Sequence, residues 1–445
     1  MKRSRIPFLT SQQQTPSFSP ATFLQNMTDN QPPASPPATP LLYSSDSYTI
    51  STPSPSSSYA SLATSASTKS LRPKLSKSTT IASENIQVMV RCRPPSDMEE
   101  QSHEQDCWLL IPEQGTVKLD ESNGTTFEYD RVFKGTDNTE IYESGIQKLV
   151  RSTMEGYNGT VFAYGQTASG KTYTMTRTAE EPGVIPKAVA DVFTYIEEEA
   201  IDREFLLQVS YMEIYNEKIN DLLNTGRHST GLSIRTTTHG QDYVENLSTM
   251  AVTTPEEVMN YIELGEGRRH TSETDFNKNS SRSHTIFQLI IESKPRMSSL
   301  ASVRTSRLNL IDLAGSEKVA TNTERRQEGS FINKSLLTLG KVITQLNEGA
   351  KHIPYRDSKL TRILSASLSG NDRVAVICTI NPAWKSKDES TNTLRFAQGV
   401  KKVRINPKIT QVAQNSRLQN YKEQIVELEI QMQRKTEQEA ETKER

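Results

Sequence analysis

The sequence predicts an α/β protein, a P-loop NTPase-type mixed central sheet with helices on both faces, flanked by a disordered N-terminal tail and a short C-terminal helix. Three observations carry this expectation. Strand-like runs alternate with helical patterns between Ile86 and Arg404, an order that places helices on both faces of a largely parallel or mixed sheet. One such run, Thr160-Val-Phe-Ala-Tyr164, passes straight into a glycine-rich segment, so ligand chemistry is expected at the carboxyl ends of the strands. Half of residues 1–84 are Ser, Thr or Pro with almost no apolar period, and such a stretch cannot bury enough surface to offset its ordering entropy.

Taken in order, Ile86-Gln-Val-Met-Val-Arg91 alternates with period two and reads as a strand with one buried face. Further strands are expected at Thr160–Tyr164, Phe205–Ile214, His284–Ser293, Ser306–Leu313 and Arg373–Ile380, with helices at Gly183–Ala200 and Phe331–Glu348. A body of about 320 residues can bury a sizeable core. Lys401–Lys408 is basic and interrupted by Pro407, which suits a connector. Beyond it, Leu418, Tyr421, Ile425, Leu428 and Met432 fall at alternating spacings of three and four, a short coiled-coil seam that Lys435 and Glu439 break. A homodimer through 415–434 and a solitary surface helix both remain open. The expected division is a tail at 1–84, a folded body at 85–404, a connector at 405–414 and a helix at 415–445.

The formal net charge of −1 argues against a chain dominated by attraction to nucleic acid or lipid. Cys92, Cys107 and Cys378 are too few and scattered for a disulfide framework or a zinc site, which fits a reducing, intracellular compartment. No apolar stretch approaches the roughly 18 residues of a membrane span, and the longest, Val374–Ile380, has the length of a buried strand. The basic start Met1–Arg5 is followed by no signal-peptide hydrophobic region, so neither membrane insertion nor secretion is expected, and the sequon at Asn158 reads as chance.

Gly165-Gln-Thr-Ala-Ser-Gly-Lys-Thr172 fits the P-loop pattern in the required context of preceding strand and following helix. Its glycines let backbone N–H groups face phosphates, Lys171 reaches the outer phosphates, and Thr172 can coordinate Mg²⁺. The loop residues Gly165, Gln166, Thr167, Ala168, Ser169, Gly170, Lys171 and Thr172 are thus candidate nucleotide contacts. Leu308-Asn-Leu-Ile-Asp312 ends in an acid placed to hold a Mg²⁺-bound water, with Gly315 offering an N–H to the terminal phosphate. A guanine-reading NKxD is missing, because Asn333-Lys-Ser-Leu336 ends in leucine, so adenine is the expected base. Between these segments, Asn277-Lys-Asn-Ser-Ser-Arg-Ser-His284 offers hydroxyls and a guanidinium for a γ-phosphate, although a polar surface loop would look the same.

Together these segments resemble the kinesin motor domain from about Ile86 to Arg404. The likeness rests on Arg91-Cys-Arg-Pro94, the P-loop, Asn277–His284, Asp312-Leu-Ala-Gly-Ser-Glu317, Ile332-Asn-Lys-Ser-Leu-Leu337 and His352-Ile-Pro-Tyr-Arg-Asp-Ser-Lys-Leu360. Asn333–Ile343 and Leu368–Ile380 look most like the centromere-associated branch. The resemblance implies a kinesin fold, ATP and Mg²⁺ as cofactors, microtubules as partner, and plus-end movement coupled to microtubule-stimulated ATP hydrolysis. It implies a cytoplasmic, cytoskeletal location, the spindle included. It also places Arg91, Arg93 and Pro94 at the adenine with Tyr173 stacking, Ser281 near the γ-phosphate and Mg²⁺, and Arg282 paired with Glu317 between the two switches. Tyr355, Arg356, Lys359 and Arg362 match its microtubule-binding segment, whereas Lys318, Arg325 and Arg326 in a following loop match less specifically.

Departures from the family pattern are Ile409-Thr410, where a Val-Asn pair is frequent, and Ala168, where Gly or Ser is frequent. A rival from another class is a nucleotide-controlled microtubule-binding or end-regulating adaptor that moves no cargo, and a third reading is a GTP-binding switch, disfavoured by the missing NKxD. Six Ser/Thr-Pro sites, Thr15, Ser19, Ser35, Thr39, Thr52 and Ser54, lie in a tail with a modest basic excess. Their phosphorylation would reverse that excess and weaken any tail contact with tubulin.

Overall fold

The computed structural model describes residues 84–412, apart from 103–104, 177–180, 225, 227–228, 238–239, 272–280, 297–302 and 318–324. The expected tail and coiled-coil seam lie outside the described residues, as do Asn277–Ser280 and Lys318.

The central strands are β1 (Gln87–Cys92), β2 (Arg131–Lys134), β3 (Gly159–Tyr164), β4 (Arg203–Tyr215), β5 (Lys218–Asp221), β6 (Thr230–Leu232), β7 (His284–Pro295), β8 (Val303–Asp312) and β9 (Arg373–Ile380). They stand in the order β6-β5-β4-β7-β8-β3-β9-β1-β2. From β8 through β3, β9 and β1 to β2 every pairing is parallel. From β8 through β7, β4 and β5 to β6 every pairing is antiparallel. The sheet is therefore mixed, as the alternating pattern implies, with β8 at the junction of its two halves.

Both faces are covered. Helices α1 (Gln147–Met154), α2 (Lys171–Thr176), α3 (Val184–Glu198) and α4 (Pro255–Thr271) lie on one side. On the other lie α5 (Arg325–Asn347), α6 (Lys359–Ile363) and α7 (Lys387–Lys401). Consecutive strand side chains point to opposite faces, so Val161 and Ala163 of β3 join the first core while Phe162 joins the second. Burial on both faces is why β3 and β9 read as nearly continuous apolar runs. Helix α5 starts at Arg325, ahead of the expected Phe331, because Arg325-Arg-Gln-Glu-Gly-Ser330 carries no apolar period to mark it. All three cysteines are buried thiols.

The connector is not a loose strap. Arg404–Ile405 pairs antiparallel with Glu84–Asn85. The amides flanking Pro407, which has none of its own, then donate to the core: Asn406 N to Gly370 O at 2.7 Å and Lys408 N to Asn371 O at 3.2 Å. Ile409 bridges to Tyr157, Thr410 N donates to Gly156 O at 3.1 Å, and Gln411–Val412 adds to the start of β8 at Val303–Arg304.

Candidate functional site

At the carboxyl ends of β3, β8 and β9 opens a cleft of about 760 Å³, a volume suited to a small-molecule ligand. Of the candidate residues, Gln166, Thr167, Ala168, Gly170, Lys171, Thr172, Tyr173, Ser281, Arg91, Arg93 and Pro94 all line it. Gly165 and Ser169 stand behind this lining. A Cβ at Gly165 would overlap Thr379 O, and the Ser169 hydroxyl lies 2.6 Å from Thr379 Oγ1.

Lys171 is buried, and its ammonium donates to the loop carbonyls of Gly165 at 3.0 Å and Gln166 at 2.8 Å. Burial lowers its pKa, and the attraction of Asp312 and Glu317 opposes that shift. Thr172 Oγ1 donates to Asp312 Oδ2 at 2.6 Å. The other carboxylate oxygen, Oδ1, is buried without a hydrogen-bond partner among the described residues. Burial pushes the Asp312 pKa up, countered by Arg269 and Lys171. The Thr172 hydroxyl beside a buried carboxylate with one oxygen to spare forms a hard-oxygen donor set that fits Mg²⁺ or a water bound to it.

Four of the expected site groups make other contacts in this geometry. Arg91 borders the cleft, yet its guanidinium is committed to Asn138 Oδ1 at 2.6 Å, Thr174 Oγ1 at 2.8 Å and Gly135 O at 3.0 Å. It braces the walls and packs over the Tyr173 ring, 4.8 Å from its centroid, rather than offering free donors to a base. Arg93 grips Glu99 with both terminal nitrogens and donates from Nε to Ala168 O at 2.7 Å, so it holds the loop. The Glu317 carboxylate accepts from Thr167 N at 2.8 Å and from the Thr167 hydroxyl, whereas its pair with Arg282 is the arrangement the resemblance implies once a γ-phosphate draws both loops inward. Gly315 likewise donates to Ser281 O at 2.8 Å instead of facing the cleft with its N–H. A Cβ at Gly315 would overlap both the Glu317 carboxylate and the Thr167 hydroxyl. Gly315 and Glu317, after β8, are thus tied to Ser281, before β7, and to Thr167 of the P-loop.

Several residues that shape the site were not singled out in the sequence. Glu99 is a hub for Arg93, Ser96 N, Ser96 Oγ and Asn381 Nδ2, and its bond to Arg93 holds its pKa down at about 2. Its signal was legible as the Ser96-x-x-Glu99 capping box. Arg269 on α4 is 1% exposed, with Nη1 3.9 Å from Asp312 and 3.6 Å from Glu266. His284 Nδ1 accepts from Ala314 N at 2.9 Å while Nε2 lies 2.7 Å from Ser335 Oγ, which fixes the Nε2–H tautomer and ties β7 to α5. Asn333-Lys-Ser-Leu336, the only candidate for guanine reading, is accordingly helix packed on the core: Leu336 is in its apolar cluster.

The second cluster of expected residues lies on α6 and the turn before it. Arg356 is exposed and Tyr355 and Lys359 are half-buried, with the Lys359 amide donating to Glu217 Oε2 at 2.8 Å. Arg362 differs: its guanidinium is held by Asp242 at 3.1 Å and by Thr236 Oγ1, so much of its charge is spent inside the chain. Arg325 and Arg326 begin α5.

Comparison with known proteins agrees with this geometry. Residues 91–403 match the Kinesin motor domain family. Curated relatives include Kinesin-like protein KIN-7K, chloroplastic, of Arabidopsis thaliana, 50% identical over 329 residues that make up 72% of this chain and 34% of the relative. Kinesin-related protein 11 of Dictyostelium discoideum is 49% identical over 317 residues, 68% of this chain and 46% of that protein. The chain therefore spans between about a third and a half of the length of these relatives. Among solved structures, a fast kinesin superposes with a TM-score of 0.69 at 38% identity, covering 74% of this chain and 94% of the other. A kinesin dimer with AMP-PNP in complex with a microtubule gives 0.68 at 35% identity, covering 74% and 97%. With its family matched along most of the folded body and its P-loop lining one cleft together with Ser281, the chain belongs to the kinesin motor domain family.

Proposed function

We propose that the chain is an ATP-driven microtubule motor, a microtubule-stimulated ATPase directed to the plus end. The observation that carries this reading is that β8 ends in Asp312 at the nucleotide cleft and begins at Val303–Arg304, where the connector docks. One rigid strand thus spans from the phosphate-sensing loops to the element that would be displaced. In this reading Lys171 and the loop amides hold the phosphates of ATP, and Thr172, Asp312 and Ser281 hold Mg²⁺, which when bound neutralises developing phosphate charge. Glu317 leaves Thr167 and pairs with Arg282 as the switches close, so hydrolysis is conditional on closure. Tyr355, Arg356 and Lys359 meet the acidic track, and Arg362 orients α6 through Asp242.

Membership of the centromere-associated branch, a homodimer through 415–434, tail contact with tubulin relieved by phosphorylation and a spindle location belong to the same proposal. Docking of the connector by main-chain bonds favours a motor over an adaptor. A gliding assay run with ATP and with GTP tests it: ATP-dependent plus-end gliding is expected, while nucleotide-controlled binding without gliding would leave the adaptor, and equal gliding with GTP would overturn the adenine assignment.

A further inference from the structure

The P-loop is held from outside by a carboxylate that the proposed chemistry does not use. Its apex is a β-turn, Gln166–Ser169, closed by Ser169 N donating to Gln166 O at 3.3 Å, with Ala168 in the left-handed region at φ +60. Gln166 O also accepts from the Lys171 ammonium, so the turn sets the position of a carbonyl that anchors the phosphate-binding lysine. Ala168 carries a Cβ, and a turn that strains its third residue persists only where its surroundings hold it. Arg93 Nε supplies that hold at Ala168 O, 2.7 Å away.

Arg93 in turn is fixed by Glu99. Its Nη1 and Nη2 donate to Oε2 and Oε1 at 2.7 and 2.8 Å, a bidentate pair, and Nη1 also donates to Pro94 O at 2.7 Å. Four of the five guanidinium N–H groups are thereby spent on protein, so Arg93 serves the cleft as a clamp more than as a ligand. Glu99 is 5% exposed and is itself built in. Ser96 N and Oγ donate to Oε2 at 2.8 and 2.9 Å, and Asn381 Nδ2 donates to Oε1 at 3.2 Å. Asn381 directly follows β9, and its own N–H donates to Ser390 Oγ of α7 at 3.2 Å. The carboxylate thus stands on the end of the sheet, and the guanidinium carries its position to the loop.

We propose that Glu99 is a positioning residue for nucleotide binding: acting through Arg93, it holds the Gln166–Ser169 turn in the shape that receives the phosphates of ATP. The inference rests on the reading of the cleft as an ATP site and adds to it a residue whose two oxygens are both engaged by protein. An ion pair with no further contact would bear on stability alone, and buried pairs are weak stabilisers. What sets Glu99 apart is that its chain of contacts ends on the phosphate loop. A loop shaped before substrate arrives favours ground state and transition state alike, so loss of the clamp raises KM and leaves kcat in place.

The test measures microtubule-stimulated turnover against ATP concentration for the full chain, with the melting temperature recorded for each protein. The variants are Glu99→Gln, Glu99→Asp, Arg93→Gln and the double variant of Glu99→Gln with Arg93→Gln. Glu99→Gln is expected to raise KM about tenfold with kcat within about twofold of wild type. Glu99→Asp keeps the charge on a shorter arm and should raise KM about threefold, and it carries the test should Glu99→Gln not fold. Arg93→Gln should raise KM at least as much as Glu99→Gln, and the double variant should match Arg93→Gln alone, since one contact is removed either way. A wild-type KM in every Glu99 variant that folds, or a fall in kcat at unchanged KM, would overturn the proposal. Additive rises in the double variant would overturn it too, because Glu99 would then not act through Arg93. Wild-type protein without saturable ATP turnover would instead sink the reading of the cleft itself, before any variant is compared.

Discussion

The two ends of β8 are built on different principles. At its carboxyl end, Asp312 sits among side chains chosen for charge and hydroxyl chemistry, with Thr172, Lys171 and Arg269 around it. At its amino end, about 30 Å away along the strand, the connector is held by main-chain hydrogen bonds to Gly156, Gly370, Asn371 and Thr305. Substituting a side chain should therefore be severe at the first end and mild at the second, unless it alters the backbone itself.

Lys171→Ala should have the largest effect, because its ammonium is the buried cation at the head of the P-loop and the segment Gly165–Thr172 contains no other cation. Steady-state turnover is expected to fall at least about 100-fold. Full turnover in a folded variant would remove the P-loop assignment. Glu317→Ala should follow, at about tenfold to a hundredfold in microtubule-stimulated turnover. The structure adds a refinement, since Glu317 also secures Thr167. If Thr167→Ala reproduces the full Glu317→Ala defect, the contact shown here, rather than a pair with Arg282, is what hydrolysis needs.

His284 links the two loops of the nucleotide end and is neutral by burial, its pKa lowered from 6.5 to about 3. The unfolded chain takes up a proton below pH 6.5 while the folded site refuses it until about 3. The stability contributed by the neutral ring is thus fully present above pH 6.5 and is lost as pH falls towards 3, by up to about 1.4 kcal/mol per pH unit. NMR of the ring C2 proton should show no titration between pH 8 and 5, and a midpoint near 6.5 would contradict the buried, doubly bonded geometry.

At the connector end, Thr410→Pro removes the amide that donates to Gly156 O, and the docked state should weaken by about 1 kcal/mol, roughly fivefold. Gliding velocity should drop while basal ATP turnover stays. Thr410→Ala keeps the backbone bond and should glide near the wild-type rate; a comparable loss in that variant would show that side chains carry the docking after all.

The same contrast explains what could be read in the sequence. The P-loop, Thr172 and Asp312 were legible because phosphate and Mg²⁺ chemistry dictates residue type at fixed spacing, and the strands because burial on each face dictates periodicity. Docking of the connector after Arg404 was expected from the family resemblance, but the bonds that hold it were not legible, since main-chain bonds leave no mark on residue type beyond a glycine. Gly156 is that mark: it has φ +105, and a Cβ there would press on Ile409 Cγ2 at 3.0 Å. Arg269 and the Arg362–Asp242 pair were also hidden, because each depends on partners brought together only by the fold. The family resemblance placed Arg91 at the adenine, but only its partners Asn138 and Thr174 reveal that its donors are spent.

The smallest effect expected is at Ala168, which has φ +60 in the P-loop, a left-handed conformation that costs an L residue with a Cβ about 1–2 kcal/mol. The connector end places glycine at its positive-φ positions Gly156 and Gly370, so it carries no such strain. Arg93 Nε holds the Ala168 carbonyl at 2.7 Å, which keeps the strained turn in place. Ala168→Gly relieves the strain but makes the unfolded chain more flexible, a loss of about 0.4–1 kcal/mol, so a net gain of up to about 1.6 kcal/mol is left. The melting temperature of the nucleotide-free protein should rise by a few degrees, with ATP affinity within about twofold of wild type because the loop N–H groups keep their directions. A lower melting temperature would mean that Ala168 does not rest in the left-handed region, and the two ends of the sheet would then differ in chemistry but not in stored strain.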